Sequence, residues 1–234
     1  MSAAESKSVE LQAPANCPAS SVSEEFSLNL LKSRDLPADA IESFCCDQRA
    51  LLGKSRKLRR VIVEHPHTPR HLSLPMLRQL FTFDLMQVAL APAVASDLRI
   101  AAEEQLIHRL ETISAGEKTT LARRASSRVA GALLLDGDIR VMRTALENGR
   151  VTEGILVKAM MAASCEVTLI EAVCSHPKWQ LRREVRIALL LNAKTPAAHA
   201  VRIAKALPPQ VARQTLNDSH LPEAIKLHIR QEIG

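Results

Sequence analysis

Aromatic residues make up only 2% of the chain: four Phe, one Trp and no Tyr. A β-sandwich or barrel draws on alternating aromatic and β-branched residues, so the shortage argues against a strand-rich fold. Glycine is scarce too, at seven residues, and no run of alternating Val, Thr and Tyr ends in a Gly or Asn-Gly turn. No stretch approaches the ~18 apolar residues of a membrane span. The five cysteines form no CxxC pair, and Cys45 and Cys46 are adjacent, which suits neither a bridge nor a zinc site. The opening MSAAESKSVELQAPANCPASSVSEE lacks the apolar stretch behind a basic segment that marks a secretory signal, so a cytoplasmic protein with free thiols is expected. Catalytic signatures are missing as well. There is no GxGxxG, HExxH or GxSxG, and Gly149 to Gly154 has phosphate-loop glycine spacing with Ile155 and Leu156 where Lys and Ser/Thr are required.

What is present is helical. The hydrophobic fraction of 47% comes almost wholly from Ala, Leu, Val and Ile, spaced at three and four residues. In Lys178 to Leu191, Leu181, Val185, Ala188 and Leu189 make one apolar stripe, with Arg182 and Arg186 on the opposite face. Residues 1–23, rich in Ser, Ala and Pro, are expected to be a disordered tail. Residues 24–53 supply capping helices, and 54–234 continue the same domain as a repeat array. A chain of this size buries roughly 70–75% of its unfolded surface, so no covalent staple is needed.

The repeat begins at His65-Pro-His-Thr-Pro69. Relatives start at Asn148 (NGRVT), His176 (HPKWQ), Asn192 (NAKTP) and Asp218 (DSHLP), each two residues after an apolar one: Val63, Leu146, Cys174, Leu190 and Leu216. The first position is His, Asn or Asp. The third is basic: His67, Arg150, Lys178, Lys194 and His220. A small polar residue closes one helix or caps the next, and Pro suits a first helical turn, where its missing N–H has no partner to lose. Weaker matches at Ala91 and Asp136 complete a spacing of about 40–47 residues, the period of HEAT and armadillo arrays.

HPHTP and NAKTP resemble the Asn-Pro-x-Thr-Pro corner of bacterial leucine-rich repeat variant proteins and related HEAT-like solenoids, over about Lys54 to Glu232. The resemblance implies an all-α solenoid of stacked helix pairs. Some members of that family bind an iron–sulfur cluster through N-terminal cysteines. Cys17, Cys45 and Cys46 lack cluster spacing, so no cofactor is carried over.

His65, His67 and His71 lie within seven residues, but His65 and His67 straddle a proline and their equivalents elsewhere are Asn, Asp, Lys and Arg. The reading is a corner and not a metal site. The basic residues point to function. Stacking would align His67, Arg150, Lys178, Lys194 and His220 along one edge, with Trp179 as an exposed partner anchor or, on the plainer reading, a helix-start staple in the core. The run Lys54, Arg56, Lys57, Arg59, Arg60, with Arg182 and Arg186, would offer cations to a nucleic acid, and Arg124 with Arg128 is a further pair at helical spacing. The expected function is a noncatalytic scaffold that binds a protein partner, such as an acidic segment, along the basic edge. The alternative is a duplex-DNA-binding protein, such as a HEAT-like DNA glycosylase-type repair enzyme.

Overall fold

A proline or a short polar side chain opens helix after helix. Ser55, Ser114, Asp138 and Thr152 each accept a hydrogen bond from a first-turn N–H, and Ser114 forms a reciprocal capping box with Glu117. Pro69, Pro196 and Pro222 stand at the N-cap of the helices that follow them. The computed structural model describes residues 23–233. It contains α1 (Glu24–Leu31), α2 (Ala38–Asp47), α3 (Arg49–Lys54), α4 (Arg56–Glu64), α5 (Arg70–Arg78), α6 (Thr82–Leu90), α7 (Ser96–Arg109) and α8 (Ala115–Arg124). There follow α9 (Ser127–Leu133), α10 (Ile139–Leu146), α11 (Glu153–Met160), α12 (Val167–Ser175), α13 (Arg183–Leu191), α14 (Ala197–Lys205), α15 (Pro209–Asn217) and α16 (Glu223–Glu232). A single 3-10 turn, Trp179–Leu181, joins α12 to α13. No strand occurs among the described residues. The protein is all-α.

The expected tail lies outside the described residues except for Ser23, which belongs to a helix start: its hydroxyl accepts from Phe26 N at 3.2 Å. All helices but α7 have ten residues or fewer. Isolated helices below ~12–15 residues are marginal in water, so these depend on burying their apolar faces against neighbours. They do so locally. The substantial packing contacts join helices at most three positions apart in chain order, and chiefly one or two apart. One row runs α8, α10, α12 and the other α5, α7, α9, α11, α13, α15, with cross-links such as α4 to α5 and α6 to α7.

Each apolar residue expected to precede a corner is buried: Val63, Leu146, Cys174, Leu190 and Leu216. The buried side chains form two clusters. A small one gathers Leu31, Ile41, Cys45, Leu52, Leu58 and Ile62, and a long one runs from Val63 to Ile229. Between α9 and α11 the backbones come close at Gly131, where an added Cβ would lie 2.6 Å from Ile155 Cγ2. Among the described residues no helix is long and apolar enough to cross a membrane.

The step of about 40–47 residues has a different structural meaning from the helix pair expected. From the Asn148 corner to the Asn192 corner the chain passes through α11, α12 and α13, and from His176 to Asp218 through α13, α14 and α15. Each step therefore holds three short helices. The two ends of such a step meet different neighbours: the Asn148 corner reaches back to α8 and the Asn192 corner to α11.

Candidate functional site

The corners are built by one hydrogen-bonding device. The first side chain accepts from the N–H two residues on: His65 Nδ1 from His67 N (3.2 Å), Asn148 Oδ1 from Arg150 N (2.8 Å), His176 Nδ1 from Lys178 N (3.2 Å) and Asn192 Oδ1 from Lys194 N (2.8 Å). Three of the four also reach back to a carbonyl near the end of an earlier helix. His65 Nε2 meets Ser33 O at 3.0 Å, Asn148 Nδ2 donates to Ala122 O at 2.8 Å, and Asn192 Nδ2 donates to Met160 O at 2.7 Å. Both ring nitrogens of His65 are thus occupied, and His71 pairs with Glu42 at 3.5 Å. At the last corner Ser219 plays this part, donating to Leu190 O and accepting from Leu221 N. The motif there is displaced by one residue, so His220 is not equivalent to the other basic positions.

This geometry corrects the expected basic edge in three ways. The cations are partly consumed: His67 Nδ1 bonds Leu36 O, Arg150 Nη1 donates to Arg124 O at 3.1 Å, and Lys194 Nζ donates to Cys165 O. Only Arg124 O belongs to the last turn of a helix, α8, whose negative end Arg150 complements; Leu36 O and Cys165 O lie in the connections that lead into α2 and α12. The residues also divide between two edges. Arg150 sits with the corner at Ala91 and with Arg123 and Arg124, whereas Lys194 and His220 line a cavity with Met160, Met161 and Cys165. Finally, Trp179 is only 1% exposed. Its Nε1 donates to Leu146 O at 3.0 Å, and Lys178 Nζ stands 4.0 Å from its ring centroid. A buried, hydrogen-bonded indole cannot serve as a surface anchor.

The other expected cations are also largely engaged. Arg56 makes a two-point contact with the buried Asp84. Arg60 faces Glu64 at 3.4 Å and Asp84 at 3.9 Å. Arg59 reaches Gln79 O, Arg182 pairs with Glu153 at 3.3 Å, and Arg186 donates to Gln180 O at 2.8 Å. Lys54, at the end of α3, and Lys57, in the first turn of α4, remain exposed. Burial pushes the Cys45 and Cys174 thiols up to about 11, which keeps them protonated and poorly nucleophilic at neutral pH.

One group of cations is arranged differently. Arg123 and Arg124 in the last turn of α8, and Arg150 after α10, line an open cleft of about 380 Å³ together with Gln87 and the apolar Met86, Leu90 and Ala91 of α6 and its end. Among the described residues, no carboxylate lies within ion-pair distance of these three guanidinium groups. The carbonyls at the end of α8 are themselves already occupied. Ala122 O and Ala125 O accept from Asn148, and Arg124 O accepts from Arg150. Sequence reading names Arg150, and names Arg124 only in a pair with Arg128; it misses Arg123 and the grouping of the three. The linear signal is an Arg pair about one helix pair before Arg150, and that spacing has meaning only once α8 is known to pack against α10. Comparison of the chain with family models, with curated proteins and with solved structures finds no match.

Proposed function

We propose that the chain is a noncatalytic binding scaffold, an α-solenoid of short stacked helices, whose arginine cleft takes an acidic segment of a protein partner. The observation that carries this reading is the convergence of Arg123, Arg124 and Arg150 on one open cleft, with no carboxylate paired to them among the described residues. Uncompensated like charges side by side are unfavourable for the free protein and are relieved by an anionic partner. The apolar strip of Met86, Leu90 and Ala91 gives such a segment a place for an aliphatic side chain, a contact that salt does not screen. Neighbour-only packing supports the solenoid reading, since stacked repeats expose long surfaces without long-range contacts. Four free thiols among the described residues accord with a cytoplasmic setting. The DNA-binding alternative is less well supported, because Arg56, Arg60, Arg182 and Arg186 are tied to carboxylates or carbonyls.

The test is fluorescence anisotropy with a labelled pool of Glu- and Leu-containing peptides, beside a short DNA duplex of equal length. The Arg123→Gln, Arg124→Gln double variant, checked for unchanged circular dichroism, is expected to weaken peptide binding at least about tenfold, the loss of one or two charge-assisted hydrogen bonds. Equal binding by wild type and variant would remove the cleft from the reading. Tighter binding of the duplex than of any peptide would replace the protein partner by DNA.

A further inference from the structure

We infer that the arginine cleft recognises a phosphorylated side chain, so that the scaffold captures its partner only after a serine or threonine there has been phosphorylated. This rests on the reading of the cleft as a peptide site. The argument is one of matching charge and donor number. A carboxylate brings one negative charge and two oxygens. A phosphate monoester brings −1.5 to −2 charges at about pH 7 and three strong acceptor oxygens.

The cleft presents three guanidinium groups, each a planar fork of five N–H donors. Arg150 spends one donor on Arg124 O, which fixes that side chain against α8, and no hydrogen bond occupies the guanidinium groups of Arg123 and Arg124 among the described residues. Two adjacent arginines on one helix turn and a third anchored from the next corner are more positive charge than a single Asp or Glu can neutralise. A phosphate can accept from two forks at once, the arrangement that gives bidentate Arg–phosphate contacts their strength. The same cleft wall adds the Gln87 amide, a neutral donor suited to the remaining oxygen, and the apolar Met86, Leu90 and Ala91 for a residue beside the phosphate. Binding is a noncovalent association, with no bond made or broken in the phosphate.

Three peptide pools with identical flanking mixtures and a fixed central phosphoserine, aspartate or serine separate the outcomes. Anisotropy with the full chain is expected to show the phosphoserine pool binding at least about tenfold tighter than the aspartate pool. The Arg123→Gln, Arg124→Gln variant should bring the two pools together. Equal affinity for phosphoserine and aspartate overturns the inference while leaving an acidic-peptide site in place. Weak binding of all three pools, at the level of serine, overturns both that reading and this one. A duplex that displaces the phosphoserine pool at matched phosphate concentration overturns the inference in favour of a nucleic-acid backbone.

Discussion

His176 does with an imidazole what Asn148 and Asn192 do with an amide: its Nδ1 accepts from Lys178 N and, at 3.4 Å, from Trp179 N. Only the amide is indifferent to pH. Burial lowers the pKa of His176, an effect Glu147 opposes and Lys178 reinforces. Because the folded-state pKa is depressed, the unfolded chain takes up the proton more readily. The stability from the neutral ring is complete above the ordinary value of 6.5 and is lost as pH falls through it toward the lowered folded value. Protonation also removes the acceptor that holds the corner over Trp179. His176→Asn keeps the acceptor and discards the titration. Thermal melts at pH 7.5 and pH 5.5 should show a smaller drop on acidification in the variant than in the wild type, and identical drops would dissociate this ring from acid sensitivity.

At the scale of the element, the closeness of α9 and α11 depends on one missing side chain. Gly131 lies inside α9, where alanine would be the better helix former by about 1 kcal/mol. The added methyl would nevertheless stand 2.6 Å from Ile155 Cγ2, closer than carbon atoms tolerate. Overpacking of this kind costs about 1–3 kcal/mol, so the clash outweighs the propensity gain. Gly131→Ala is therefore expected to lower the urea midpoint. Adding Ile155→Ala to it should recover part of the loss, because the offending Cγ2 is then gone. A double variant less stable than either single one would assign the cost to something other than this contact.

Over the whole molecule, packing between near neighbours in the chain means that damage at one end need not travel to the other. Leu58 belongs to the small N-terminal cluster with Ile41 and Ile62, whereas Trp179, the single tryptophan, lies in the long one. Met76 packs against both. Truncating a fully buried leucine costs about 2–5 kcal/mol, enough to unfold a cluster of this size ahead of the rest. Leu58→Ala should give a urea transition in which far-ultraviolet circular dichroism begins to fall early while Trp179 fluorescence keeps the wild-type midpoint. Coincident, equally shifted transitions would mean that the chain unfolds as one cooperative unit.

The sequence by itself determined the helical class and the position of the corners. Scarce aromatics, few glycines, apolar spacing at three and four, and the polar first residue of HPHTP, NGRVT, HPKWQ and NAKTP are local properties, and short-range backbone hydrogen bonding turns them directly into structure. Which corners share an edge was beyond it. A step of three helices and a step of two look alike in a list of motifs, yet Arg150 and Lys194, one such step apart, line different cavities. The fate of the charged residues was also decided only in three dimensions. Arg56, Arg150 and Lys194 are equally cationic in the sequence, but Asp84, Arg124 O and Cys165 O meet them across 26 to 29 residues of chain. Trp179 reaches Leu146 O over a similar distance and is buried by it. Among the described residues Arg123 and Arg124 have no ion-pair partner, because the elements packed around the end of α8 bring no carboxylate there, a consequence of tertiary packing that no local pattern encodes.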